Sequence, residues 1–192
     1  MPLTTYTAGE VLTAASLNNN FTVAAGSGGL VVVKAETAFS AVASTTADGV
    51  FTSAFTNYRI VLRFTTSAED LGMQFRAATV DTTANYNYQQ LRGQSSTASA
   101  SRATSQSSAI ISDGTSGAFI SLCVLELSGP QLAEPTILRS IVGVNKTGYT
   151  SPTVDNYAGN QSDSTAFDGI KFLVSSGTTT GSYTIYGYAK TV

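Results

Sequence analysis

The chain is 192 residues long, enough to fill one core. Only 11% of its residues are charged, against about 25% in ordinary soluble domains, yet 42% are hydrophobic, so the low charge does not signal disorder. Net charge is −2, with ten basic and twelve acidic residues scattered singly, which excludes the Lys/Arg cluster that a phosphate backbone demands, and no nucleic acid is expected as a partner.

In chain order, the first expected element is a helix over residues 14–24. Thr13 supplies the capping hydroxyl, and Leu12 and Leu17 have the spacing of a hydrophobic staple. Ala14, Leu17, Phe21 and Ala24 share one face, with Asn18, Asn19 and Asn20 on the others. A helix this short is not stable alone; it must pack on its own sandwich, a symmetry mate or a larger assembly. Gly26-Ser-Gly-Gly29 follows as a flexible joint, dividing the chain into segment 1–29 and a body at 30–192. The first basic residue is Lys34, so the opening residues do not read as a signal peptide. With no apolar run near 18 residues and no basic amphipathic segment, no membrane role is expected.

From Leu30 the pattern predicts strands at 30–36, 37–42, 49–54, 57–66, 71–80, 85–92, 105–112, 117–127, 136–145, 153–160, 166–175 and 182–190. In Asn57-Tyr-Arg-Ile-Val-Leu-Arg-Phe64, the residues Tyr58, Ile60, Leu62 and Phe64 alternate with Arg59, Val61 and Arg63, giving one buried and one wet face. Leu71, Met73 and Phe75 repeat the pattern. The Ser/Ala/Thr-rich stretch 95–108 reads as an exposed loop or an edge strand. Residues 167–190 read as a hairpin: Ile170, Phe172 and Val174 share one face, and Tyr183, Ile185 and Gly187 share one on the next strand. The fold class is therefore all-β, an antiparallel β-sandwich, jelly-roll-like, preceded by a short N-terminal helix.

Chemistry is scarce. The chain has no histidine and a single cysteine, which removes Ser-His and Cys-His nucleophile pairs and the common zinc sites. Cys123 sits in an apolar strand and reads as an inert buried thiol. No cofactor and no metal are expected. Two-carboxylate glycoside hydrolysis is the one enzyme class left open, with Asp155, Asp163 and Asp168 as its candidates; turn and strand-entry roles account for such aspartates better, and no enzymatic activity is expected. Tyr86 and Tyr88, flanked by Asn and Gln, suit either stacking on a sugar ring or burial with their hydroxyls at the rim, and burial is favoured. The Ser/Thr-rich surface leaves the same choice open, between glycan contact and subunit contact.

The segment Tyr6-Thr-Ala-Gly-Glu-Val-Leu-Thr-Ala-Ala-Ser-Leu-Asn-Asn-Asn-Phe21 resembles the opening of small structural proteins of tailed bacteriophages. Phe55-Thr-Asn-Tyr-Arg-Ile-Val-Leu62, Ala84-Asn-Tyr-Asn-Tyr-Gln89 and Gly181-Ser-Tyr-Thr-Ile-Tyr-Gly187 are similar to tail-fibre-like and head-fibre-like virion proteins, including those of marine and cyanobacterial phages. The resemblance implies a virion component, commonly a homotrimer, whose N-terminal segment docks on other virion proteins of the tail or capsid while the β domain projects. It makes Leu12, Leu17 and Phe21 the docking or oligomer contacts. The chain has no collagen-like or triple-β-helix repeat, which favours a short tail-associated fibre or tip over a long shaft. The expected function is host attachment, with Tyr86 and Tyr88 the candidate contacts to a host-surface polysaccharide. A capsid decoration or head-fibre protein, and a carbohydrate-binding adhesin module, stand as the alternatives.

Overall fold

The computed structural model describes residues 9, 13–15, 29–67, 70–113, 120–144 and 152–190. These form thirteen strands: β1 (Leu30–Val42), β2 (Ser44–Ala47), β3 (Asn57–Thr66), β4 (Leu71–Ala77), β5 (Val80–Asp81), β6 (Tyr86–Gln94), β7 (Thr97–Gln106), β8 (Ala109–Ser112), β9 (Ser121–Ser128), β10 (Thr136–Val144), β11 (Thr153–Gln161), β12 (Gly169–Val174) and β13 (Thr179–Tyr188). Beyond Ala14 and Ala15, the helix expected over 14–24 lies outside the described residues, as do Leu12, Leu17 and Phe21.

The strands build two antiparallel sheets. One has eight strands in the order β1-β13-β3-β9-β10-β11-β6-β7; the other runs β2-β12-β4-β5, with β8 also paired to β4. Period-2 alternation decides which face each residue takes. In β3, Tyr58, Ile60, Leu62 and Phe64 are at most 1% exposed while Arg63 faces solvent. β10 alternates without a break, burying Thr136, Leu138, Ser140, Val142 and Val144.

The inner faces meet in one core cluster. Phe172 of β12 packs on Tyr183 of β13 with ring centroids 5.5 Å apart, and Phe75 of β4 stacks on Tyr86 of β6 at 6.3 Å. Burying each such side chain stabilises the fold by about 1.5–3 kcal/mol. Two tyrosine hydroxyls are satisfied across the gap: Tyr86 accepts from Phe75 N at 2.6 Å and donates to Thr82 O, and Tyr183 donates to Thr46 O. An antiparallel sandwich is thus the architecture, as the alternation implied.

Several local expectations are corrected. Residues 167–190 are not a paired hairpin. β12 pairs with β2 and β4, whereas β13 pairs with β1 and β3, so Ser175–Thr178 crosses from one sheet to the other. The apolar faces of β12 and β13 consequently meet across the core instead of lying side by side, which desolvates both. The strand expected at 49–54 is a loop whose apolar residues are buried as a plug: Val50 and Phe51 are 5% and 3% exposed, and both donate to the Asp168 carbonyl. The two strands expected at 30–36 and 37–42 are one, β1, with register irregularities at three places. Residues 105–112 straddle the passage from β7 to β8, and 95–108 includes the exposed edge strand β7.

The sandwich is polarised. Leu30 pairs with Tyr188, and Ala189 N donates to Gly29 O at 2.7 Å, so the described body begins and ends at one end. The passages from β1 to β2, β3 to β4, β6 to β7, β8 to β9, β10 to β11 and β12 to β13 leave from the opposite end.

Candidate functional site

The three candidate acids are held in structural roles. Asp155, on β11, is 0% exposed; its Oδ1 accepts from Arg92 Nε at 2.9 Å and Gln90 Nε2 at 3.2 Å. Asp163 accepts from Asn85 Nδ2 and Gln161 Nε2, and Asp168 Oδ1 accepts from Ala78 N at 3.2 Å. Among the described residues no cluster of His, Cys, Asp and Glu is spaced to hold a metal ion. Cys123 is buried, its Sγ 3.9 Å from the Ile111 carbonyl, and burial pushes its thiol well above the usual range. A thiol reagent should leave the native protein untouched and label Cys123 only in denaturant; rapid native labelling would contradict the burial.

The tyrosine pair divides. Tyr86 is 0% exposed and bonded across the sandwich, the burial favoured from its sequence, so it offers no face to a sugar and only its candidacy as a glycan contact is corrected. Desolvation raises its hydroxyl above the ordinary tyrosine range. Tyr88 is half-buried against the core and meets Tyr157 edge-on at 6.2 Å. β6 runs in unbroken register with β11, so both tyrosines keep one face; Phe75 of the other sheet covers Tyr86, whereas Tyr88 meets only Tyr157 of its own sheet among the ring contacts of the described residues.

Around Asp155 lies a polar cluster on the inner face of β6 and β11. Arg92 is opposite Asp155 and also pairs with Asp113, while Gln90 is opposite Tyr157 and accepts from Ser101 Oγ at 2.9 Å. A buried carboxylate survives only when paired and hydrogen-bonded in this way.

The outer face of the eight-stranded sheet is organised differently. Successive cross-strand partners place Tyr186, Arg59, Glu126, Arg139, Ala158, Gln89 and Arg102 in one transverse row running from β13 to β7. Arg59 holds Glu126 Oε1 through Nε at 2.6 Å and Nη2 at 2.5 Å, and Tyr188 donates to Glu126 Oε2 at 2.8 Å. The Arg59 guanidinium also lies over the Tyr188 ring, 5.8 Å from its centroid. The hydrogen bond to Glu126 raises Arg59 above its ordinary value, and burial followed by Glu126 raises Tyr188.

Two depressions lie along this row. One of about 350 Å³ is lined by Asn57, Glu126, Ile137, Arg139 and Tyr188; the other, of about 250 Å³, by Asn87, Gln89, Arg102, Ala158 and Asn160. Towards the opposite end the same face turns apolar, with Leu91, Leu122, Ile141 and Val154 between 41% and 64% exposed. Sequence reasoning marked Arg59 and Arg63 only as a wet face and missed Glu126, Arg139 and Tyr188. The sole signal was their alternation with buried neighbours; register alone aligns residues this far apart. Comparison with protein-family models, with curated proteins and with solved structures gives no match.

Proposed function

We propose that this chain is a non-enzymatic structural component of a tailed-bacteriophage virion, a short tail-associated fibre or tip module that attaches through its N-terminal segment. The observation that carries the reading is the polarity of the sandwich: Gly29 and Ala189 are bonded to each other at one end of the described body, which suits attachment there and projection of the other end. In this reading the segment before Gly29 includes the helix with Leu12, Leu17 and Phe21, the module is a homotrimer, and its body is jelly-roll-like, passing repeatedly between two sheets. The engagement of Asp155, Asp163 and Asp168 in buried or turn-forming bonds supports a body made for rigidity.

The test is deletion of residues 1–25. The truncated protein should keep the thermal transition of the full chain within about 0.5 kcal/mol, as surface changes usually do, yet fail to join particles or to trimerise. A truncation that unfolds the sandwich would make the segment part of the core and end the docking reading. Particles labelled on capsid faces instead of the tail would move the assignment to a decoration or head-fibre protein.

A second reading, the carbohydrate-binding adhesin module, is favoured by the outer sheet face. There an aromatic ring, an ion pair and amide groups surround open depressions, the mixture of apolar surface and fixed polar groups that ligand sites use.

A further inference from the structure

We propose that the transverse row on the outer face of the eight-stranded sheet is a binding track for a linear acidic polysaccharide, with Arg139 and Arg102 as its anion contacts. The inference rests on the glycan-contact reading and moves its site away from the buried Tyr86, while Tyr88 lines the smaller depression. Charge distribution is the first support. Of the chain's ten basic residues, Arg59, Arg63, Arg102 and Arg139 stand on this one face. Glu126 is the acid among them, and Glu36 of the edge strand β1 accepts from Ser182 Oγ on β13, the cross-strand neighbour of Arg63, so the positive charge left over is that of Arg102 and Arg139. A chain whose net charge is −2 thereby presents a locally positive sheet.

Saturation of Glu126 is the second support. Arg59 occupies one carboxylate oxygen and the Tyr188 hydroxyl the other, so Glu126 is already neutralised when a ligand arrives. Arg139 lies directly opposite Glu126 on β10, is exposed, and has no ion-pair partner among the described residues. Its planar fork matches a carboxylate in bidentate fashion.

Spacing is the third. With strands about 4.8 Å apart, Arg59 and Arg139 are separated by roughly 10 Å, and Arg139 and Arg102 by roughly 14 Å, along one line across the strands. The two depressions lie along that line, with Ala158 and Arg139 at their junction. A polyuronate carries carboxylates at regular intervals on a stiff chain, so one strand of it meets Arg139 and Arg102 at once. The amides of Asn57, Asn87, Gln89 and Asn160 between them suit its hydroxyls. Single-stranded nucleic acid fits less well: it wants a series of stacking aromatic platforms, and here Tyr186 and Tyr188 stand at one end only, with Arg59 already over the Tyr188 ring.

Titration of the full-length protein with oligogalacturonate tests the track, with maltohexaose as the neutral saccharide and a dT10 oligonucleotide as the competing polyanion. Oligogalacturonate is expected to bind, more weakly at high salt, with maltohexaose and dT10 at least tenfold weaker. Arg139→Gln should weaken binding about tenfold, the loss of one charge-assisted fork, and Arg139→Gln with Arg102→Gln should abolish it while the thermal transition stays put. No binding of oligogalacturonate, equal binding of maltohexaose or dT10, or full binding by the double variant would each overturn the proposal. Particle attachment by the N-terminal segment is read separately by the truncation, so either idea can fail alone.

Discussion

Gly181→Ala should destabilise the fold by about 3 kcal/mol, the upper range for overpacking a filled site. Gly181 lies in β13 between Phe39 of β1 and Phe64 of β3. A methyl group there would fall on the Arg63 carbonyl oxygen and come within 2.8 Å of Phe64 Cα. Both are backbone atoms of the neighbouring strand, so no side-chain rotation relieves the clash; β13 and β3 must part. That ladder runs from Thr179–Thr66 to Gly187–Tyr58, joining the last strand to the middle of the large sheet. For a chain of this length the loss corresponds to roughly 6–12 °C in Tm. Gly143→Ala is the matching control: nothing lies within 4 Å of its added carbon, and shedding unfolded-state freedom makes it neutral or stabilising by up to about 1 kcal/mol. Calorimetry of the two variants reads opposite signs if the packing is as described; equal small effects would mean that β13 is not held against β3 at Gly181.

Removing Asp155 is the second large effect. Asp155→Ala leaves Arg92 without its fully buried partner and Gln90 without its acceptor, and opens a void among β6, β8 and β11. Breaking a buried pair costs about 3–5 kcal/mol; because Asp113 still holds Arg92, the expected loss is near the lower figure. Asp155→Asn keeps an acceptor oxygen in place and should cost less. Replacing both partners, Asp155→Ala with Arg92→Met, should recover part of the single-variant loss, since no stranded charge is then left inside. Urea denaturation gives these differences directly. A single-variant cost under about 0.5 kcal/mol, the size of an ordinary surface change, would mean that the cluster is solvated.

The two variants probe different layers of legibility. Alternation in Tyr58, Ile60, Leu62 and Phe64 located β3 with both bounds correct and both faces assigned, because one wet and one dry face leave a period-2 trace in any sequence. Leu71, Met73 and Phe75 were likewise read as inward, but β4 also buries Gly72 and Gln74, the latter by donating to the Ser107 carbonyl. A strand covered on both sides loses its polar signature, so its second face was not readable. Phe51 was read as strand on composition, although its N–H answers to the Asp168 carbonyl rather than to a ladder.

For the candidate surfaces the limit is sharper. Tyr86 and Tyr88 share a spacing and a face, yet Phe75 of the opposite sheet covers Tyr86, while Tyr88 meets Tyr157 of its own sheet and stays half-open. Arg59, Glu126 and Arg139 are chemically ordinary and far apart in the chain; adjacency across β3, β9 and β10 is what joins them.

By itself, the sequence determined that this chain is an antiparallel β protein with one core and which residues of most strands turn inward, since hydrophobic burial acts residue by residue. Only the tertiary structure decided that the last two strands belong to opposite sheets, that scattered arginines converge into a row, and that Asp155 is a buried partner of Arg92. Each of these depends on strand order and register, which arise from long-range pairing among many near-equivalent apolar strands and leave no local mark on the residues that take part.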